Sequence, residues 1–160
     1  MKFYLSSYEL GDRVEELVKL VPKGKIGYVP NACDFTNPNV ERRRARIEND
    51  MQSLRDLSLE VELLDLKKYF GKKDELDRKL SDLGAVFISG GNVFILRQAM
   101  RLSGFDKLLN DLRANADFLY AGYSAAGCVL SPSLKGYDIV DNAEDHPYDG
   151  QSETIWEGLG

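Results

Sequence analysis

Short β-prone runs alternate with amphipathic helical stretches up to residue 123, and that alternation restricts the fold more than any other feature. The runs are Lys2–Ser7, Lys25–Pro30, Glu60–Leu66, Ala85–Ser89 and Phe118–Tyr123. Lys25–Pro30 is apolar on successive positions, as a strand covered on both faces should be, and Ala85–Ser89 is strongly apolar. Helices are predicted over Arg13–Val21, Asn39–Leu57, Asp74–Leu83, Val93–Leu102 and Phe105–Asn115. Val14, Leu17, Val18 and Val21 share one face of the first; Val40, Ile47, Met51 and Leu54 are the apolar positions of the second. Pro22 and Gly24 stop the first helix, Asn37-Pro38 suits the start of the second, and Gly104 separates the last two. Strand-helix-strand order requires crossovers, and right-handed crossovers build a mostly parallel sheet with helices on both faces. The expected class is therefore α/β, a three-layer sandwich. After Cys128 the pattern changes: Val129–Gly136 is turn-rich, Tyr137–Val140 is a candidate short strand, and Asp141–Thr154 is acidic and loop-like.

A chain of 160 residues is by default one domain. At that length folding buries roughly 70% of the unfolded surface, so a core forms without staples. The net charge of −5 argues against a nucleic-acid partner, because phosphate recognition needs a basic face. The densest positive stretch, Arg42-Arg43-Arg44 with Arg46, reads as a solvated helix face balanced by Glu41, Glu48 and Asp50; the alternative is an anion or partner contact. Cys33 and Cys128 lack metal-ligand spacing and read as reduced thiols of a cytoplasmic protein. The N-terminal apolar run is too short for a signal peptide, and none approaches membrane-span length.

Two glycine-bearing turns carry the chemistry. Gly90-Gly91-Asn92 follows the fourth strand and Gly122-Tyr123-Ser124-Ala125-Ala126-Gly127 ends the fifth. In a parallel sheet both lie at carboxyl ends, on the edge where ligands bind. A strand, a sharp turn bearing serine and then a helix form a nucleophile elbow, with Ser124 as the candidate nucleophile. A serine hydroxyl needs a general base, a carboxylate to orient that base, and two N–H donors for the oxyanion. The backbone N–H of Ala125 is one candidate donor, and Gly91 lets the neighbouring turn approach closely enough to supply the second. Asn92 offers a side-chain amide to substrate or oxyanion, and Tyr123 is the other candidate substrate contact. Taken singly, each turn also reads as an ordinary tight connection, and Ala126 stands where the usual elbow pattern has glycine.

The segments FISGGNVF (87–94) and YAGYSAAGCVLSP (120–132), in that order and separation, resemble the aspartyl dipeptidase (dipeptidase E) family of serine peptidases. Cyanophycinases are relatives. The likeness runs from the first strand to IWEGLG. It implies the flavodoxin-like sandwich shared with class I glutamine amidotransferases, where a cysteine occupies the elbow. The resemblance implies small peptide substrates, neither metal nor organic cofactor, Ser124 as nucleophile, and Gly91 and Ala125 at the oxyanion positions. Asp138 is the best match for the acidic member, with Asp141 its competitor.

The chain has one histidine, His146, in the polar loop EDHPYD. In the family the catalytic histidine follows a segment like IWEGLG, at the end of the next strand. Two explanations compete. The chain is a C-terminally incomplete peptidase of impaired activity, or His146 has taken the role. A missing neighbour of the fifth strand would leave an apolar edge, from which self-association is expected. A non-catalytic binding module on the same fold is the alternative from another class. An α/β-hydrolase esterase fits less well, because the chain is short and the Gly-Gly-Asn turn precedes the elbow.

Overall fold

Five strands form one all-parallel sheet in the order β1-β5-β4-β2-β3 in the computed structural model, which describes residues 1–160. They are β1 (Lys2–Ser6), β2 (Lys25–Val29), β3 (Glu60–Leu63), β4 (Ala85–Ile88) and β5 (Leu119–Tyr123). The helices are α1 (Val14–Leu20), α2 (Val40–Arg55), α3 (Lys73–Leu83), α4 (Val93–Ser103), α5 (Phe105–Leu112) and the single turn α6 (Ala125–Cys128). All five predicted strands and the five longer helices are present.

The central strands alternate strictly. In β4, Ala85 and Phe87 pack with Leu17 of α1, with Val21 just after it, and with Met51 and Leu54 of α2. Val86 and Ile88 point the other way, into a second core with Leu76 and Leu80 of α3, Leu96 and Met100 of α4 and Leu108 of α5. β5 divides likewise, Tyr120 joining the second core and Leu119, Ala121 and Tyr123 the first. A strand buried on both sides has no position free for a polar side chain, which accounts for AVFI and LYAGY. Gly104 adopts φ 75°, which breaks α4 from α5 so that both lie on the sheet.

The structure departs from the sequence-based expectations in three places. Strand β3 stops at Leu63 rather than Leu66, because the Asp65 carboxylate accepts the Lys67 N–H at 3.0 Å and starts a 3₁₀ turn over Leu66–Tyr69. Tyr137–Ile139 is a 3₁₀ turn, not a strand; Ile139 and Val140 are 85% and 79% exposed, with no sheet edge to pair with. The fifth strand is not at an edge. It lies between β1 and β4, so the open edges belong to β1 and β3. No helix is long and apolar enough to cross a membrane.

Candidate active site

The order of the sheet brings three connections to one carboxyl edge. The chain leaves β2 for β3 on one side and returns to β4 on the other, so a crevice opens where the direction reverses. The 3₁₀ turn Asn31–Cys33 stands on one side and Gly90-Gly91-Asn92 on the other. The Asn92 N–H donates to the Ala32 carbonyl at 2.8 Å, and the Cys33 thiol donates to the Gly90 carbonyl at 3.2 Å. Gly91 has φ 147°, and a methyl group there would overlap the Ala32 carbonyl oxygen, so this turn admits no side chain.

Ser124 follows β5 with φ 51° and ψ −108°, a backbone conformation that costs a non-glycine residue about 1–3 kcal/mol. Its N–H donates to the Ser6 carbonyl at 3.1 Å, and its own carbonyl accepts from Gly127 and Cys128 at 2.9 and 3.1 Å. The side chain is exposed although Tyr123, Ala125 and Ala126 around it are buried. The elbow and the Gly-Gly turn touch. A methyl group on Gly90 would stand 2.6 Å from Tyr123 Cε2 and 3.1 Å from Ser124 Cβ. The Gly91 N–H makes no backbone hydrogen bond. Ala125 is the first residue of α6, so its N–H has no acceptor within the helix. Both expected oxyanion donors are therefore spare, on turns in contact with each other.

The remaining expected residues are distributed differently. Asn92 is 2% exposed and its amide is consumed by the fold: Oδ1 accepts from Phe94 and Ile95 at 2.8 and 3.2 Å, and Nδ2 donates to the Asn142 carbonyl at 2.8 Å. It caps α4 and is not placed to contact substrate. Tyr123, also 2% exposed, points into the α1–α2 core, which corrects its expected role at the substrate. Asp138 is exposed and its carboxylate accepts the Gly136 N–H at 2.9 Å within its own turn. Asp141 instead reaches the start of α4, just after the Gly-Gly-Asn turn, where Oδ2 accepts the Val93 N–H at 2.8 Å. Burial pushes this carboxyl above its ordinary value, partly opposed by that hydrogen bond.

His146 lines an open cavity of about 810 Å³ together with Asp34, Arg43, Asp65 and Lys67, and Ser124 is not part of that lining. Both ring nitrogens are buried without a hydrogen-bond partner, and Glu144 Oε2 is 3.9 Å from Nε2. The loop carrying it is tied down on either side. The Asp145 carboxylate accepts from the Thr36 N–H at 3.1 Å, and the Tyr148 hydroxyl donates to Asp34 Oδ2 at 2.8 Å.

Sequence reasoning missed the inward face of α2. Arg42 and Arg44 are exposed, as a solvated helix face requires. Arg43 is paired with the buried Asp34, Arg46 donates to the Tyr123 hydroxyl, and Asp50 accepts from Tyr28 and Tyr123. Arg43, Arg46 and Asp50 fall at helical spacing beside Ile47, Met51 and Leu54, and that shared face was the available signal. Arg42, Arg43 and Arg46 line a cavity of about 390 Å³ with Cys33.

An exposed serine on a strained strand-to-helix turn, beside a second turn with a spare N–H at the carboxyl edge of a parallel sheet, defines an α/β scaffold of the nucleophile-elbow type. The chain belongs to peptidase family S51, whose sequence model matches residues 6–159. It is similar to an uncharacterized peptidase of Listeria monocytogenes, with 31% identity over 119 residues, covering 74% of this chain and 54% of that protein. The chain thus spans about half the length of this curated relative. A 1.5 Å crystal structure of a peptidase E protein from Listeria monocytogenes EGD-e superposes with a TM-score of 0.75 at 26% identity, covering 99% of this chain and 74% of that one. The family and the fold expected from the two motifs are borne out.

Proposed function

We propose that this chain carries the nucleophile and oxyanion-binding half of a serine peptidase site, acting on small peptides through an acyl-enzyme on Ser124. The observation that carries the reading is the exposed, strained Ser124 with the spare Gly91 and Ala125 N–H groups on touching turns. Ser124 Oγ attacks the peptide carbonyl carbon as a base takes its proton. The oxyanion lies against the two N–H groups, where loss of one donor costs about 10²–10³ in rate. Collapse expels the amine, which takes a proton, and water then releases the acid from the ester. Neither metal nor organic cofactor takes part. Asp141, at the start of α4 next to the Gly-Gly-Asn turn, is the better candidate than Asp138 for the acidic partner of the base.

The base is what limits these 160 residues. The one histidine, His146, lines a cavity in which Ser124 has no part, so turnover by these residues alone is expected to be poor. That same fact favours the second reading, a non-catalytic binding module that keeps the elbow as a structural turn. Free Cys33 and Cys128 support a reducing, cytoplasmic setting, and the net charge of −5 supports peptide rather than nucleic-acid partners.

A fluorophosphonate probe separates the two readings. The peptidase reading expects labelling of the wild-type chain that disappears in Ser124→Ala. No labelling of a folded wild-type chain overturns that reading in favour of the module.

A further inference from the structure

The Ser124 turn is backed by a half-buried polar cluster on α2. The Tyr123 ring is the spacer between the two turns, filling the room beside Gly90 on one side and leading directly into Ser124 along the chain. Phe87 and Tyr8 flank it, with ring centroids 6.1 and 6.4 Å away. The ring thus abuts Gly90, the residue before Gly91, where the two turns meet.

The far end of the ring is held by charge. Tyr123 Oη donates to Asp50 Oδ2 at 2.8 Å, and the Tyr28 hydroxyl donates to the same oxygen at 2.6 Å. Arg46, one turn earlier on α2, donates to Tyr123 Oη from Nε and Nη2 at 3.3 and 3.1 Å. Hydrogen bonds to an ionised partner are the short, strong ones, and this phenol has one on each side. Burial, then the Asp50 charge, pushes the Tyr28 and Tyr123 phenols up, so both remain donors at neutral pH. Asp50 serves neither as a helix cap nor in an ion pair with a surface lysine; its carboxylate is spent on the two tyrosines.

We propose that Asp50 is a positioning residue for Ser124, acting through Tyr123 to set the separation between the Gly91 and Ala125 N–H groups. Its catalytic consequence rests on Ser124 being the nucleophile; its geometric part does not. Asp50→Asn keeps the volume and removes the charge that orders both phenols and Arg46. Tyr123→Phe removes the same bond from the other end and serves as the second variant should Asp50→Asn fold poorly.

The test is site-resolved amide hydrogen exchange on the full chain for both single variants and the double, with fluorophosphonate labelling kinetics alongside. Exchange at the Ser124 amide is expected to rise about tenfold in each single variant, within the usual coupling range for contacting residues, and no further in the double. Amides of α5, on the opposite face of the sheet, are expected to stay at the wild-type rate. Where the wild type labels, the maximal labelling rate falls about as much while the probe's half-saturation is unchanged. Exchange that rises equally in α5, that does not change at Ser124, or that is multiplicative in the double variant overturns the proposal. So does a labelling defect confined to half-saturation. A wild type that does not label sinks the peptidase reading, while the exchange data still decide the positioning role.

Discussion

At the scale of single residues, the site is a place where the backbone accepts strain. Ser124 sits in the left-handed region without being glycine, held by the bond from its N–H to Ser6 and by the start of α6. Ser124→Gly is therefore expected to stabilise the chain by about 1–2 kcal/mol in urea unfolding while abolishing probe labelling. A stability gain purchased by loss of the hydroxyl is the expected signature of a site residue rather than a packing residue. Asp141 gives the pH dependence. Its folded pKa is raised by burial, so the folded state holds this proton more tightly than the unfolded chain does. The contribution is fully present below the ordinary aspartate pKa and is lost as pH rises through the folded value. Asp141→Asn, whose amide oxygen can still accept from Val93, is expected to flatten the fall in stability that this group gives the wild type as pH rises above the ordinary aspartate range. Denaturation midpoints across that rise in pH check it.

Among the elements, α4 is the one that joins site and scaffold. Its cap, Asn92, takes the Phe94 and Ile95 N–H groups of the first turn with one side-chain oxygen and binds the 141–149 loop through its amide. The Gly-Gly turn immediately before it thereby inherits the position of the helix. Asn92→Ala is expected to cost about 1–2 kcal/mol, at the upper end for a helix cap because the tie to Asn142 is lost as well. Urea midpoints measure that cost. Helix α2 plays the corresponding part for the elbow through Arg46 and Asp50.

For the molecule as a whole, the strand order leaves β1 unpaired on its outer side. Phe3 and Leu5, two apart on that strand, are 51% and 46% exposed. Beside them a groove of about 540 Å³ runs between Tyr120, Leu109, Arg113 and the last residues, Gly158 to Gly160. An edge with free N–H and C=O groups and apolar side chains on one face is prone to pair with another copy. Light scattering at micromolar concentration is expected to give a mass above the monomer, and Phe3→Lys with Leu5→Lys is expected to restore it. A wild type that scatters as a monomer rules out this edge as an association surface.

Sequence periodicity by itself determined the five strands, the five longer helices and the parallel α/β class, because a strand covered on both sides and a helix covered on one leave different repeats. It also determined the two turns, since only small residues fit where backbones approach closely. Gly91 and Ser124 were legible for that reason. What it did not contain was which strand neighbours which. Strand order depends on the path of crossovers over the sheet, and only the fold showed β5 inside and β1 at the edge. The fold alone likewise brought Asp141 rather than Asp138 to the start of α4, next to the Gly-Gly-Asn turn, and set His146 in a cavity that Ser124 does not line. It also turned Arg46 and Asp50 inward onto Tyr123. Those are contacts between residues far apart in the chain, set by three-dimensional packing rather than by local spacing.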